Sequence, residues 1–397
     1  MNKDRIYLDN AATTNFSAEV INAMIPVMNN VYGNSSSIHS FGREAISLVD
    51  QAKETIAQTI NANPEEIYFT SSGSEANSWA LVGIALANRN KGNHIIVSSI
   101  EHPSIIEACK FLENDGFKVT YLSVDNNGFI NFAELMRAIN SNTILISIIS
   151  ANNEIGTIQN IKAISHTAHE KGIIFHTDAI QLYGNMNIDV EDLGIDAMSL
   201  SAHKIYGPKG VGALYLSNKV KIDPIIFGGN QERGKRGGTT NTAGIVGFAK
   251  ASEIADRDMR INNHKVRSLS EYFVSKLSTS VENIIFNANT RQKLPNIISV
   301  TFVGVDGESL LTKLDMNGIA VSTGSACSVN NLSVSHVMTA IGLRNDDARC
   351  TVRFSVGKNN SYDELDKAIS TIVKSVEELR EISSTYGMKT RKRKGDK

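Results

Sequence analysis

"GIDAMSLSAHKIYGPKG", residues 194–210, carries an apolar strand pattern into a turn of small, polar, glycine and proline residues. Lys204 stands at the mouth of that strand, directly after His203. A lysine on a solvated face, satisfied by a nearby carboxylate, raises no question. A lysine at the carboxyl end of a parallel strand does, because open α/β sheets build their sites there. Similar strand patterns recur on both sides of this one: "EIYFT" (66–70), "HIIVSS" (94–99), "KVTYLSV" (118–124), "TILISIIS" (143–150), "GIIFHTDA" (172–179) and "GALYLS" (212–217). Helical patterns such as "SEANSWALVGIALANR" (74–89) and "PSIIEACKFLEN" (103–114) separate most of them. Apolar strands alternating with helices predict a mostly parallel sheet covered on both faces.

That pattern fills residues 16–250 and predicts a large domain. A long helical stretch at about 242–278 leads into a different rhythm, with "NIISVTF" (296–302), "CTVRFSV" (350–356) and the helical 362–382. It predicts a smaller α+β domain from 1–15 and 251–380, followed by a basic tail, 381–397, expected to be disordered.

The bulk properties exclude several classes. The chain has 397 residues, 41% hydrophobic and 20% charged, with a net charge of −1. No basic field points to nucleic acid or an anionic membrane surface. No apolar run approaches the roughly 20 residues of a membrane span, and the start lacks an apolar signal segment. Three cysteines without a CxxC pair argue against a disulfide framework or a structural zinc, and for the reducing cytoplasm.

Company decides what Lys204 does. An amine that condenses with pyridoxal phosphate needs a carboxylate for the ring nitrogen, donors for the phosphate and a group against the ring. Asp178, at the end of the strand in "IIFHTDAIQ", is either a helix cap or that carboxylate, and Gln181 follows on the same turn. In "FTSSGSEAN", Gly73 lets the backbone approach an anion and Ser74 opens a helix, though a serine N-cap alone explains much of this pattern. Ser201 and His203 add donors beside the lysine. His102 in "EHPS" follows another strand and is either structural or the ring-facing group. "GGNQERGKR" nearly matches a P-loop through Gly229, Gly234 and Lys235, but Arg236 stands where Ser or Thr is needed, so nucleotide hydrolysis is set aside. The same loop is suited to present Thr239 and basic groups to a phosphate.

Cys109 shares a helical face with Ile105, Ala108 and Leu112, and Cys350 alternates with Val352, Phe354 and Val356, so both read as packing residues. Cys327, in "STGSACSVNN", lies among Gly, Ser, Ala and Asn with no apolar period, which marks it as reactive. Arg353 falls on the strand face opposite Cys350, where its fork suits a substrate carboxylate.

Together these motifs resemble the pyridoxal-phosphate-dependent cysteine desulfurases of the NifS/IscS type, in the class V aminotransferases. "YLDNAATT", "YGNSSSIHSFGREA", "NNEIGTIQ", "SAHKIYGPKG", "QERGKRGGTTN" and "VRFSVG" carry the likeness across nearly the whole chain. The resemblance implies the fold type I aminotransferase architecture, with a seven-stranded mostly parallel sheet, and a homodimer. It makes Lys204 the Schiff-base lysine, His102 the ring-stacking histidine and Asp178 the partner of the ring nitrogen. Asn153 and Gln181 would meet the ring hydroxyl. Gly73, Ser74, Ser201 and His203 would cradle the phosphate, with Thr239 lent by the other subunit. Cys327 would form a persulfide, Arg353 would hold the carboxylate of L-cysteine, and Asn34 and Asn153 would lie beside it. Ser35 and "LSVSH" (332–336) stand where the family often has proline. The implied reaction converts L-cysteine to L-alanine and passes sulfur to an acceptor protein, either an Fe–S scaffold or a tRNA-thiolation enzyme. A selenocysteine lyase is the nearest rival. A catalytically silent scaffold would lack Lys204 or Cys327, and both are present.

Overall fold

The computed structural model describes residues 5–323 and 334–382; Cys327 and the basic end of the chain lie outside them. In chain order the strands are β1 (Ile6–Tyr7), β2 (Ile67–Thr70), β3 (His94–Ser98), β4 (Lys118–Leu122), β5 (Thr143–Ser147), β6 (Ile174–Asp178), β7 (Ala197–Ser201), β8 (Gly212–Leu216), β9 (Ile284–Phe286), β10 (Ile297–Phe302), β11 (Ile319–Ala320) and β12 (Thr351–Ser355). The seven apolar runs of the sequence are β2 to β8, and they form one sheet in the order β2-β8-β7-β6-β5-β3-β4. Only β8 runs antiparallel to its neighbours, β7 and β2. Alternate side chains feed opposite faces, as the strand period demands. Ile67, Phe69 and Ile96 join one apolar core, whereas Tyr68, Ile95 and Val97 join the other. The edge strand β4 buries only Leu122 fully.

One predicted helix departs from a simple period. Residues 73–88 comprise a helix at Gly73–Ser78, a π-helical turn at Trp79–Gly83 and a helix at Ile84–Asn88. The reason is tertiary. The Trp79 indole N–H donates to the Asp223 carbonyl at 2.9 Å, and a Cβ on Gly83 would lie 2.5 Å from that same carbonyl oxygen. A one-residue bulge in the helix lets both fit.

A second core surrounds the antiparallel sheet β12-β10-β9, with the parallel pair β1–β11 beside it. The helix Thr242–Ser280 joins the two cores. Its first half contributes Ile245, Phe248 and Ile254 to the large sheet, and its second half contributes Leu269, Phe273 and Leu277 to the small one. The helix Tyr362–Glu381, started by a Ser361/Glu364 capping box, covers the small sheet. After "PIIF" there is only a short 3-10 turn, Gln231–Gly234, with Glu232 and Arg233 at φ 43° and 57°. No P-loop helix begins there.

Candidate active site

Since β8 alone is reversed, β2, β3, β5, β6 and β7 all end on one edge of the sheet, and Gly73, Ser74, His102, Asn153, Asp178, Gln181, Ser201, His203 and Lys204 lie at or soon after those ends. β7 runs into a tight turn over Ala202–Lys204. The Lys204 ammonium donates to the carbonyls of Ala11 and Ala12, at 2.6 and 2.7 Å. The same "AATT" segment braces the rest of the turn. Thr14 N–H donates to the His203 carbonyl at 3.0 Å, Thr13 Oγ1 meets His203 Nδ1 at 3.1 Å, and the Tyr206 N–H donates to Thr14 Oγ1 at 2.8 Å. That bracing holds Tyr206 at φ 65°, a left-handed conformation that costs a tyrosine about 1 kcal/mol or more. Gln181, nearly buried, donates from Nε2 to the Ala11 carbonyl at 2.9 Å. A cleft between the two cores opens beside Lys204, lined also by Asn10, Gln181, Tyr206, Asn263 and Lys358.

Asp178 closes β6 and is buried. Its Oδ1 accepts from Ile180 N–H at 2.9 Å, the turn role expected of a cap. Its Oδ2 accepts from Asn77 Nδ2 at 2.7 Å. Asn77 also donates to Ser104 Oγ at 3.0 Å, and Ser104 Oγ lies 2.8 Å from His102 Nδ1. The Ser104 N–H points at the same Nδ1, at 3.2 Å. Nδ1 is therefore an acceptor, and the imidazole proton sits on Nε2. Burial lowers the His102 pKa, helped by Lys204 and His336 and opposed by Asp178. The ring is thus neutral near pH 7. His203 is also neutral, its pKa held down to about 4 by burial and by Lys204 and Lys209.

Arg353 extends from β12 with a nearly buried side chain. Nη2 pairs with Asp9 Oδ1 at 2.9 Å, and Nη1 donates to the Asn153 carbonyl at 2.9 Å. Burial raises the Asp9 pKa, against the pull of Arg353 and Lys204. Asn34 lies exposed on the turn before the helix Ser40–Gln58, where its Oδ1 accepts from Ser36 N–H; among the described residues no hydrogen bond joins it to the Lys204 group. Thr239 is exposed too. Its loop is held to this subunit by Lys53–Glu232 at 2.8 Å, by Arg233 over the Tyr68 ring at 4.0 Å and by a forked Arg236–Glu75 pair at 2.7 and 3.0 Å.

The residues that sequence reasoning missed are partners of those it found: Asp9, Ala11, Ala12, Asn77 and Ser104. Asn77 had a signal, since it follows Gly73 by four positions and so shares its helical face.

The chemistry of the site fits pyridoxal phosphate. A Cβ on Gly73 would lie 2.1 Å from Ile180 Cδ1, so only glycine leaves its backbone bare there. Ser201 Cβ is 3.4 Å from that position, and the buried Ser201 hydroxyl has no hydrogen-bond partner among the described residues. An oxyanion beside Gly73 would supply one. Asp178, buried and held by an amide, is of the type needed opposite a protonated ring nitrogen. The Arg353 Nε is buried without a partner among the described residues, which leaves one guanidinium donor for a carboxylate.

Comparison with known proteins agrees. A family profile described as Aminotransferase class-V matches residues 6–368. Cysteine desulfurase IscS from Clostridium botulinum (strain Hall) is 46% identical over 388 residues, covering 97% of this chain and 98% of its own length. Among solved structures, a NifS-like protein superposes with a TM-score of 0.89 at 36% identity, over 94% of this chain and 100% of that chain. SspA in complex with cysteine superposes with a TM-score of 0.80 at 37% identity, over 90% of this chain and 100% of that one. The chain belongs to the pyridoxal-phosphate-dependent class V aminotransferase family, among relatives that are cysteine desulfurases of the IscS kind.

Proposed function

We propose that this protein is a cysteine desulfurase that releases L-alanine from L-cysteine and leaves the sulfur on Cys327 as a persulfide. The observation that carries the reading is the gathering of Lys204, Asp178, His102 and Ser201 at the ends of β3, β6 and β7 along one edge of the sheet, with the Asn77–Ser104 link joining Asp178 to His102 across the intervening β5. When bound, pyridoxal phosphate supplies an electron sink for the substrate's α-carbon. Asp178 would keep the ring nitrogen protonated, and neutral His102 would face the ring without adding charge. Gly73, Ser74, Ser201 and His203 receive the phosphate. Gln181 and Asn153 flank the ring hydroxyl, and Arg353 orients the substrate carboxylate. Lys204 would hold the cofactor through its amine, and the same amine, when free, would move the proton at the substrate's α-carbon. The Cys327 thiolate attacks the substrate sulfur, the carbon–sulfur bond breaks, and the three-carbon product leaves after protonation.

The protein works as a homodimer in the cytoplasm. Thr239 is exposed on its own subunit, and Tyr32, Ile38 and Phe227 are exposed at 77%, 91% and 84% on the segments around it and around Asn34. Such apolar exposure suits a subunit interface. The sulfur goes on to an Fe–S scaffold or a tRNA-thiolation enzyme. The test is Cys327→Ser: it should keep the visible cofactor band and its response to cysteine, yet yield no sulfide. Lys204→Ala should lose the borohydride-fixable cofactor linkage. Full sulfide release by Cys327→Ser would remove the persulfide role.

A further inference from the structure

Two hydrogen bonds join Ser335 and His336 to the strand-end loops. The Ser335 Oγ lies 2.7 Å from Glu154 Oε2, and both residues are buried. Ser335 caps the helix His336–Ala340, its Oγ accepting from the N–H groups of Val337 and Met338 at 3.2 and 3.3 Å. Its one hydroxyl proton is therefore free to go only to Glu154. Next along, His336 Nε2 donates to the Glu101 carbonyl at 2.9 Å. Val337 and Met338 pack with Ile100, Ile149 and Ile155 from the same two loops. Glu101 precedes His102, and Glu154 follows Asn153, whose carbonyl holds Arg353.

A carboxyl is a poor choice for filling such a space. Burial pushes the Glu154 pKa up to about 7, with Arg353 and the Ser335 hydroxyl opposing. An apolar pair of similar size would hold the helix without that desolvation. Its acceptor aimed at the hydroxyl is what an apolar pair lacks. Ser335 follows Cys327 by eight residues.

We propose that Glu154 is a positioning residue for the sulfur-transfer step, fixing Ser335 and the start of its helix against the loops that carry His102 and Asn153. The inference rests on the reading of Cys327 as the sulfur acceptor. Glu154 touches neither substrate nor cofactor in this scheme. Its loss leaves cofactor loading and cysteine binding in place and slows transfer.

The experiment uses the cofactor-loaded full chain. Glu154→Ala and Ser335→Ala should each lower kcat for alanine formation by roughly tenfold or more, the scale of an ångström-level misplacement. KM for cysteine and the cysteine-induced spectral change should stay within about twofold. Glu154→Gln should recover most of kcat, since the amide oxygen accepts the same hydroxyl. The double alanine variant should be no slower than the worse single, because both remove one bond. Ser335→Ala decides the matter if Glu154→Ala does not fold. Wild-type kcat in the alanine variants, or a loss shared equally by KM and cofactor retention, overturns the proposal. Cys327→Ser, assayed beside them, separates the two layers. If it is inactive while the alanine variants are normal, only the positioning role falls; if it is active, the reading of Cys327 falls and the positioning role with it.

Discussion

Asp178 and Arg353 each meet a partner far away in the chain, and those partners decide what single substitutions do. Asn77 gives one N–H to Asp178 and another to Ser104. Asn77→Ala leaves a buried carboxylate short of a donor, so it should cost about 1–3 kcal/mol in stability and speed pyridoxal phosphate loss. Thermal melts and cofactor release followed by fluorescence measure both; unchanged release would confine Asn77 to a packing role. Arg353→Ala should raise KM for cysteine by roughly 30- to 1,000-fold, the worth of a charge-assisted fork. It should also lower the melting temperature, because Asp9 loses its cation. A lowered melting temperature with an unchanged KM would make the arginine structural only. Lys204, Asp178 and His102 were legible because each follows an apolar strand, and a strand end is a local pattern. Asp9 was not legible as the partner of Arg353. The pair is 344 positions apart, and no period in the sequence encodes a contact of that span.

Six of the seven strands could be read because each is a short, almost wholly buried apolar run, and the edge strand β4, which buries only Leu122 fully, because Val119, Thr120 and Tyr121 favour extended backbone. The π-helical turn could not, since it answers to Asp223, far along the chain. The loop before Thr239 shows the same limit. Its basic residues suggested a phosphate, yet Arg233 stacks on Tyr68 and Arg236 pairs with Glu75 in the helix that starts at Gly73. The pair is nearly buried, with side-chain exposures of 18% and 9%. Arg236→Ala should therefore loosen the Gly73 helix and speed cofactor dissociation several-fold, at a cost of about 1–3 kcal/mol. Cofactor retention equal to wild type on dialysis would show that the pair serves only the loop.

Acid and base act on the whole molecule through buried groups of opposite kind. Burial holds His176 at about 3 and His203, with help from two lysines, at about 4. The unfolded chain protonates these rings below about pH 6.5, so stability falls as pH drops below that. Burial, with Asp178 nearby, pushes Glu101 up to about 8, although Ser98 and Ile149 bond it. Here the folded protein keeps a proton that the unfolded chain has released above about pH 4.5. Stability falls with rising pH until about 8, by about 1.4 kcal/mol per pH unit for one such group. Glu101→Gln should flatten the decline in melting temperature between pH 6.5 and 8, and parallel curves for the two proteins would sink this assignment. The pairing of β1 with β11 carries a further consequence, for synthesis. Ile6 and Leu8 pack in the core closed by β10, β12 and the helix Tyr362–Glu381. At about 5–20 residues per second, a ribosome needs roughly 20–70 s to reach β12 after making β1. During that delay the Ala11 and Ala12 carbonyls can meet Lys204, but Ile6 and Leu8 have no core to enter. The nascent chain therefore carries an exposed apolar segment while the large sheet is already folding, the kind of segment a chaperone would shield.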